Sequence, residues 1–218
     1  MTFEGIAFAA LDFYEDLEAD NSKAFWTAHR HIYDEQVKAP LQELAAELSQ
    51  EFGAAKFFRP FRDVRFAQDK TPYKTHQGVY FAESRRYLQV SAGGLYASGG
   101  FYDMASDQLA RYRRAVAEDL PGQALEQSIK LAEKAKLVIS GDQLSRTPSG
   151  FAKDHPRQEL LRHKSVYATR EFGCPDWLQT PRAKTELVKA WRAMQPLIDW
   201  LEKSVGQSDL PVARRGER

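Results

Sequence analysis

Apolar residues recur at helical spacing along the N-terminal part of the chain. Leu11, Tyr14 and Leu17 predict a short amphipathic helix over 6–19. Asp20-Asn21-Ser22 interrupts it and offers an N-cap for a second helix reaching Lys38, with Trp26, Tyr33 and Val37 at near-helical spacing. Pro40 suits the first turn of a third helix. There Leu41, Leu44, Ala45, Leu48 and Phe52 keep the 3.6-residue period, and Gly53 serves as C-cap.

The period changes at Lys56. From Phe57 to Phe66 the pattern alternates as in a strand, with Phe58, Arg62, Val64 and Phe66 on one face and Arg59, Phe61, Asp63 and Arg65 on the other. A turn follows over Asp69–Pro72. Gln77–Ala82 and Tyr87–Ala92 predict two strands joined by the polar turn Glu83-Ser-Arg-Arg86, and Leu95–Ala97 predicts another between two glycine pairs. The connections are too short for parallel crossovers, so the strands form an antiparallel meander.

Helical spacing returns over Ser106–Asp119, with Leu109, Tyr112, Val116 and Leu120 inward, and again from Pro121-Gly122 to Lys134. Lys136–Ser140 and Val166–Arg170 read as short strands around a loop and a short helix that begins at Asp154. A last helix from Thr180 to Lys203 should kink at Pro196. The expected fold is α+β: a central antiparallel sheet of three to five strands with N-terminal and C-terminal helices packed on it. One domain is expected over 1–206, with 207–218 a flexible tail.

Composition adds mostly exclusions. The chain has 218 residues and a net charge of +1, so overall charge draws it to neither nucleic acid nor membrane. Cys174 is the single cysteine, which leaves no intrachain disulfide and no thiolate cluster for zinc. No apolar run approaches the roughly 20 residues that span a bilayer, and the N-terminus does not read as a secretory signal. A reduced, cytoplasmic location is the expectation.

Local composition is sharper. Between Arg59 and His76 lie five Arg or Lys residues, Asp63 and Asp69, and the rings of Phe61, Phe66, Tyr73 and His76. Arg62, Arg65, Asp69, Lys70, Thr71, Tyr73 and Lys74 suit an anion site, because guanidinium forks, a mobile ammonium and hydroxyl donors all recognise phosphate or carboxylate. The same residues equally suit an internal brace in which Asp63 and Asp69 neutralise the arginines. His76 is the candidate general acid or base, with Asp63 or Asp69 as orienting carboxylate, for a hydrolase or transferase acting on an anion. Phe66 and Tyr73 offer rings on which a nucleic-acid base can stack. A nuclease-type metal site would separate the second carboxylate from its lysine by one residue, whereas Asp69 and Lys70 adjoin.

Elsewhere the chemistry is thinner. His29 and His31 sit two apart on a helix and face different ways, so they form no metal pair. Cys174 has no base beside it, and Gly93-Gly94 and Gly99-Gly100 match no phosphate loop. Arg111-Tyr-Arg-Arg114 reads as a solvated helix face, or as an extension of a basic patch. His155 and His163 flank the short helix and suit capping or surface roles, or the border of a cleft. No cofactor is indicated.

The run Arg62-Asp-Val-Arg-Phe-Ala-Gln-Asp-Lys-Thr-Pro-Tyr-Lys-Thr-His76 resembles the signature R-D-x-R-F-S-x-D-K-T-P-Y-K-T-H, with Ala67 where serine is usual. That signature marks a widespread microbial and fungal family known only as a conserved domain of unknown function. Asn21, Trp26, Tyr33 and Pro40 upstream are similar to its helical N-terminal region, although the tryptophan here follows Phe25 and one asparagine stands where the family has two. Gly99-Gly100-Phe-Tyr, Leu109, Arg113, Pro148-Ser-Gly-Phe, Asp154-His-Pro and Leu161-Arg-His-Lys-Ser165 extend the similarity to about residue 200. The resemblance implies an intact domain and assigns no residue a role.

Overall fold

A computed structural model describes residues 2–65 and 68–210. The end of the expected strand at Phe66, the departure at Ala67 and tail residues 211–218 lie outside the described residues.

The fold is α+β, as expected. Among the described residues six strands, one more than the expected range allowed, lie in the order β1-β2-β3-β4-β6-β5. They are β1 (Ala55–Phe57), β2 (His76–Phe81), β3 (Arg86–Ser91), β4 (Gly94–Phe101), β5 (Val138–Ser140) and β6 (Val166–Gly173). β1 pairs antiparallel with β2 (Phe57 opposite Val79), β2 with β3 (Val79 opposite Leu88) and β5 with β6 (Ile139 opposite Ala168). The Gly99-Gly100 pair lies inside β4 rather than bracketing it. At Gly100, φ is +141°, and a Cβ would stand 2.6 Å from the Tyr167 Cα and the Val166 carbonyl oxygen, so only glycine fits.

The chain forms two compact units. The first comprises residues up to Ser98 together with Arg170–Arg192. Its helices are α1 (Ala9–Ala19), α2 (Lys23–Ile32) and α3 (Ala39–Phe52), with the backbone winding as a π-helix over Tyr33–Lys38 between the last two. Ser22 caps α2 by accepting from the Phe25 N–H (3.1 Å), and Gly53 ends α3 at φ +86°, both as the sequence indicated. α1 packs on β3, and α3 on β1 and β2.

An aromatic cluster closes this core. Trp191, on α7 (Arg182–Ala193), meets Phe52 and Phe81 edge-on at 4.9 and 5.2 Å, and its indole N–H donates to the Tyr87 carbonyl. Arg86, expected in a polar turn, instead begins β3 and is only 3 % exposed. Its guanidinium donates to the carbonyls of Ser84 and Trp191 and lies over the Phe52 ring, which is how a buried charge is made tolerable. Glu47 ties the unit's edges, accepting from the Phe3 N–H and from Lys184.

The second unit comprises Gly99–Thr169 and the chain from Ala193 onward. It holds α4 (Ser106–Ala117), α5 (Asp119–Lys134), α6 (Gln158–Leu161) and α8 (Gln195–Ser204). The expected break in the last helix falls at Met194, with Pro196 in the first turn of α8. Tyr112 and Val116 are buried as expected, but Leu120 is 83 % exposed. α4 stops at Ala117 and Glu118 is extended (ψ 145°), so the helical phase that would have carried Leu120 inward is lost. Gln108 is buried instead, donating to the Gly206 carbonyl. Arg157 closes the C-terminus of α4 by donating to the carbonyls of Val116, Ala117 and Glu118. Beyond Gly206, Ser208 and Asp209 bond to Asp107 at the start of α4. Among the described residues, no helix is long and apolar enough to cross a membrane.

Trp191 carries the aromatic cluster, so Trp191→Ala should lower unfolding free energy by about 3–5 kcal/mol in a urea melt. A loss below about 1 kcal/mol would show that the core does not depend on the cluster.

Candidate functional site

The alternating run from Phe57 does not continue as a strand. β1 ends at Phe57, and the Phe58 N–H makes a last bond to the Gly78 carbonyl. Pro60 then has no N–H to extend a ladder, and the chain leaves the sheet. It returns through Pro72. The two arms meet at a single antiparallel bridge, Phe61 opposite Tyr73, flanked by Arg62 N–H to Pro72 carbonyl (2.8 Å) and Lys74 N–H to Pro60 carbonyl (2.7 Å). The assignment of Arg62 and Asp63 to opposite strand faces is therefore corrected: they stand at the mouth of a loop.

Inside that loop the charges pair locally. The Arg62 guanidinium donates to the Asp69 carboxylate and to the Thr71 hydroxyl, while the other Asp69 oxygen accepts from the Thr71 N–H (2.9 Å). This is an Asx turn, which explains why Asp69–Pro72 reads as one. Arg65 grips Asp63 through two side-chain bonds of 2.9 and 2.8 Å. That pair was expected, although a bend rather than a strand face brings it together. Lys70 donates to the Val64 carbonyl (3.0 Å). The Arg65 fork holds the Asp63 carboxyl at about 2. Asp69 also sits at about 2, held first by the Thr71 N–H and then by Arg62.

The arm after the loop is clamped from α2. The Asn21 side chain accepts from the Tyr73 N–H (3.0 Å) and donates to the Tyr73 carbonyl (3.2 Å), satisfying both backbone groups with one amide. The Tyr73 ring lies flat on Trp26, with centroids 4.4 Å apart and planes within 9°, and is 5 % exposed. A ring expected to offer a stacking face thus has one face committed to the protein. Below it, the buried Gln77 amide links the Tyr33 hydroxyl (2.6 Å) to the Phe58 carbonyl (2.9 Å).

What remains open is a hollow of about 410 Å³ lined by Arg62, Asp63, Tyr73, Lys74, Thr75 and His76. Arg65, Asp69, Lys70 and Thr71 are not part of that lining. Lys74 is half-buried and makes no ion pair among the described residues. Its ammonium lies 5.3 Å from the Phe58 ring centre. Burial, and then the charge of nearby Arg59, push its pKa down. Arg59 is exposed and likewise has no ion pair among the described residues. His76, at the first position of β2, is half-buried, and its pKa is lowered by burial and then by Lys74. Among the described residues its ring hydrogen-bonds to neither Asp63 nor Asp69, so the expected orienting carboxylate is not in place.

The other histidines have local duties. His29 stacks on Phe25 at 4.1 Å, and the His155 ring accepts from the Arg157 N–H. His163, expected at the surface or as a cap, is buried between the Ser165 carbonyl and the Gln143 amide. Cys174 is exposed. Among the described residues, no group of three or more His, Cys, Asp or Glu could hold a metal ion.

Asn21, Arg59 and Thr75 escaped the sequence-based choice of site residues. Asn21 stands beside a helix cap, where its residue type already has a role, and only its place in the family resemblance pointed further. Arg59 belonged to the basic run but not to its signature. A model of the conserved hypothetical protein family DUF2461 matches residues 9–200. The chain belongs to that family. No curated protein matches it. The family description names no reaction, so the chemistry rests on the side chains themselves.

Two outcomes test the frame around the hollow. Asn21→Ala strands the partly buried Tyr73 backbone and should cost about 1–3 kcal/mol, with faster amide exchange at Arg62, Tyr73 and Lys74. Unchanged exchange would assign the clamp to Trp26 alone. The Asp69 carboxyl pKa lies below its ordinary 3.8, so the Arg62–Asp69–Thr71 tie is complete above that value and is lost as pH falls through about 2. Carboxyl-carbon NMR should find Asp69 near 2. Arg62→Met should move it only part-way back, because the Thr71 N–H still donates. A wild-type midpoint near 3.8 would contradict the tie.

Proposed function

We propose that the hollow beside Lys74 binds a small anionic ligand bearing a phosphate or carboxylate group. The observation that carries this reading is the division of charge along 59–76. Arg62, Asp63, Arg65 and Asp69 neutralise one another, so they brace the loop rather than wait for a ligand. Lys74 has no such partner among the described residues, and the charge of nearby Arg59, which also acts on the Asp63 carboxylate, adds to the cost of its burial. Two close cations beside a half-buried imidazole leave a deficit of negative charge, which a bound anion removes. The exposed rings of Phe58 and Phe61 flank this place. In the same reading Arg62 lends a polarised edge to the hollow while Asp69 and Thr71 hold it in position. The signature run is then a frame and a site together, and the surrounding compartment is the cytoplasm.

Inorganic phosphate titrated into the full chain, followed by His76 ring-proton NMR, tests this directly. A saturable shift is expected. The bound anion should raise the depressed His76 pKa toward 6.5, so affinity grows as pH falls through the histidine range. Lys74→Met should weaken binding about tenfold or more, and added salt should weaken it further. A single-stranded oligonucleotide that binds far more tightly, with a steep salt slope, would identify the anion as a nucleic-acid backbone. If phosphate, acetate and oligonucleotide all leave His76 unmoved, the proposal fails.

A further inference from the structure

A second hollow, of about 520 Å³, opens in the other unit, between α4 and the loop after Pro148. It is lined by Ala110, Arg113, Arg114, Ala117 and Glu118 on the helix side and by Ser149 and Phe151 on the loop side. Ala110, Arg113, Arg114 and Ala117 are spaced i, i+3, i+4 and i+7, so they form one stripe of α4. That stripe differs from the one that buries Gln108, Tyr112 and Val116 in the unit's core. The two small alanines leave the space, and the two guanidinium groups stand between them.

The arginines are uncommitted. Neither Arg113 nor Arg114 makes an ion pair among the described residues, and the Arg113 Nε is buried with no hydrogen-bond partner. A buried donor left unmade costs free energy until something accepts from it. Glu118 lines the same hollow without pairing to either arginine. A helix C-terminus ordinarily repels anions. Here Arg157 already covers the carbonyls of Val116, Ala117 and Glu118, which offsets that repulsion.

We propose that this hollow binds a small organic monocarboxylate with an apolar body. A carboxylate accepts two parallel bonds from a guanidinium fork, and Arg113 and Arg114 supply forks side by side. The apolar body packs against Ala110, Ala117 and Phe151. Glu118 sets the charge limit: two arginines against one carboxylate leave room for one negative charge and disfavour a dianion. This site is independent of the Lys74 hollow.

Phenylacetate added to the full chain, with amide shifts followed by NMR, tests the proposal. Saturable shifts are expected at residues 110–118 and 149–151, with His76 unmoved. Acetate, which lacks the body, and benzyl alcohol, which lacks the charge, should each bind about tenfold more weakly or worse. Arg113→Met, which keeps the aliphatic stem, should weaken phenylacetate about tenfold or more. Arg114→Gln, at an exposed position, should weaken it about threefold or more and keeps the test decisive if the first variant does not fold. Absence of saturation, affinity unchanged in the variant that folds, or tighter binding of inorganic phosphate than of phenylacetate would overturn the proposal.

Discussion

The candidate site depends on one amide. Asn21 holds both backbone groups of Tyr73, and that contact fixes the arm carrying Lys74, Thr75 and His76. Without it the Tyr73 backbone would be left with the Phe61–Tyr73 bridge, since Pro60 and Pro72 deny the segment a regular ladder, and the arm would rest on the Trp26 stack and the start of β2. Stacking of Tyr73 on Trp26 then sets the depth at which the arm lies. Both contacts come from the start of α2, so a helix cap and a site wall are parts of the same construction. This economy explains why a loop rich in charge can hold its shape with so little regular structure.

The charges divide according to what the loop needs. Short-range partners two to nine residues apart, Asp63 with Arg65 and Arg62 with Asp69 and Thr71, satisfy themselves within the loop. Such exposed pairs contribute little to global stability, but they limit the loop's conformations. Lys74 and Arg59 fall outside these pairs; Lys74 lines the hollow, and Arg59 is near enough to act on its charge. The dense basic run therefore holds a brace of paired side chains, Arg62, Asp63, Arg65 and Asp69, with the cations Arg59 and Lys74 on either side of it.

In the second unit the same logic runs through arginine. Arg157 is buried because it completes the end of α4, and Arg111 reaches the Val205 and Gln207 carbonyls beyond α8. Arg113 and Arg114 have no comparable duty among the described residues. A run of three arginines around one tyrosine thus separates into a tether and a pair left over.

Much of the fold was legible because its signals are local. The periods of 3.6 and 2, the Ser22 cap, the Gly53 stop and the break beside Pro196 each act within a few residues, and the elements they predict are present. The strand expected over 57–66 failed at Pro60, where missing donors outweigh an alternating pattern. Leu120 failed because its helix ended first. The site was legible as a region, since residue types cluster in sequence before they cluster in space. Its division into brace and edge was not, because pairing depends on which carboxylate the backbone brings within about 3 Å. Nor could any local pattern show that Asn21 reaches Tyr73 or that Arg86 reaches the Trp191 carbonyl. By itself the sequence determined most of the elements, their order and the stretch in which the candidate residues gather. Beyond the local Asp63–Arg65 pair, tertiary structure decided which charges are satisfied, because Coulomb attraction and hydrogen bonding act over distances in space that chain spacing does not encode.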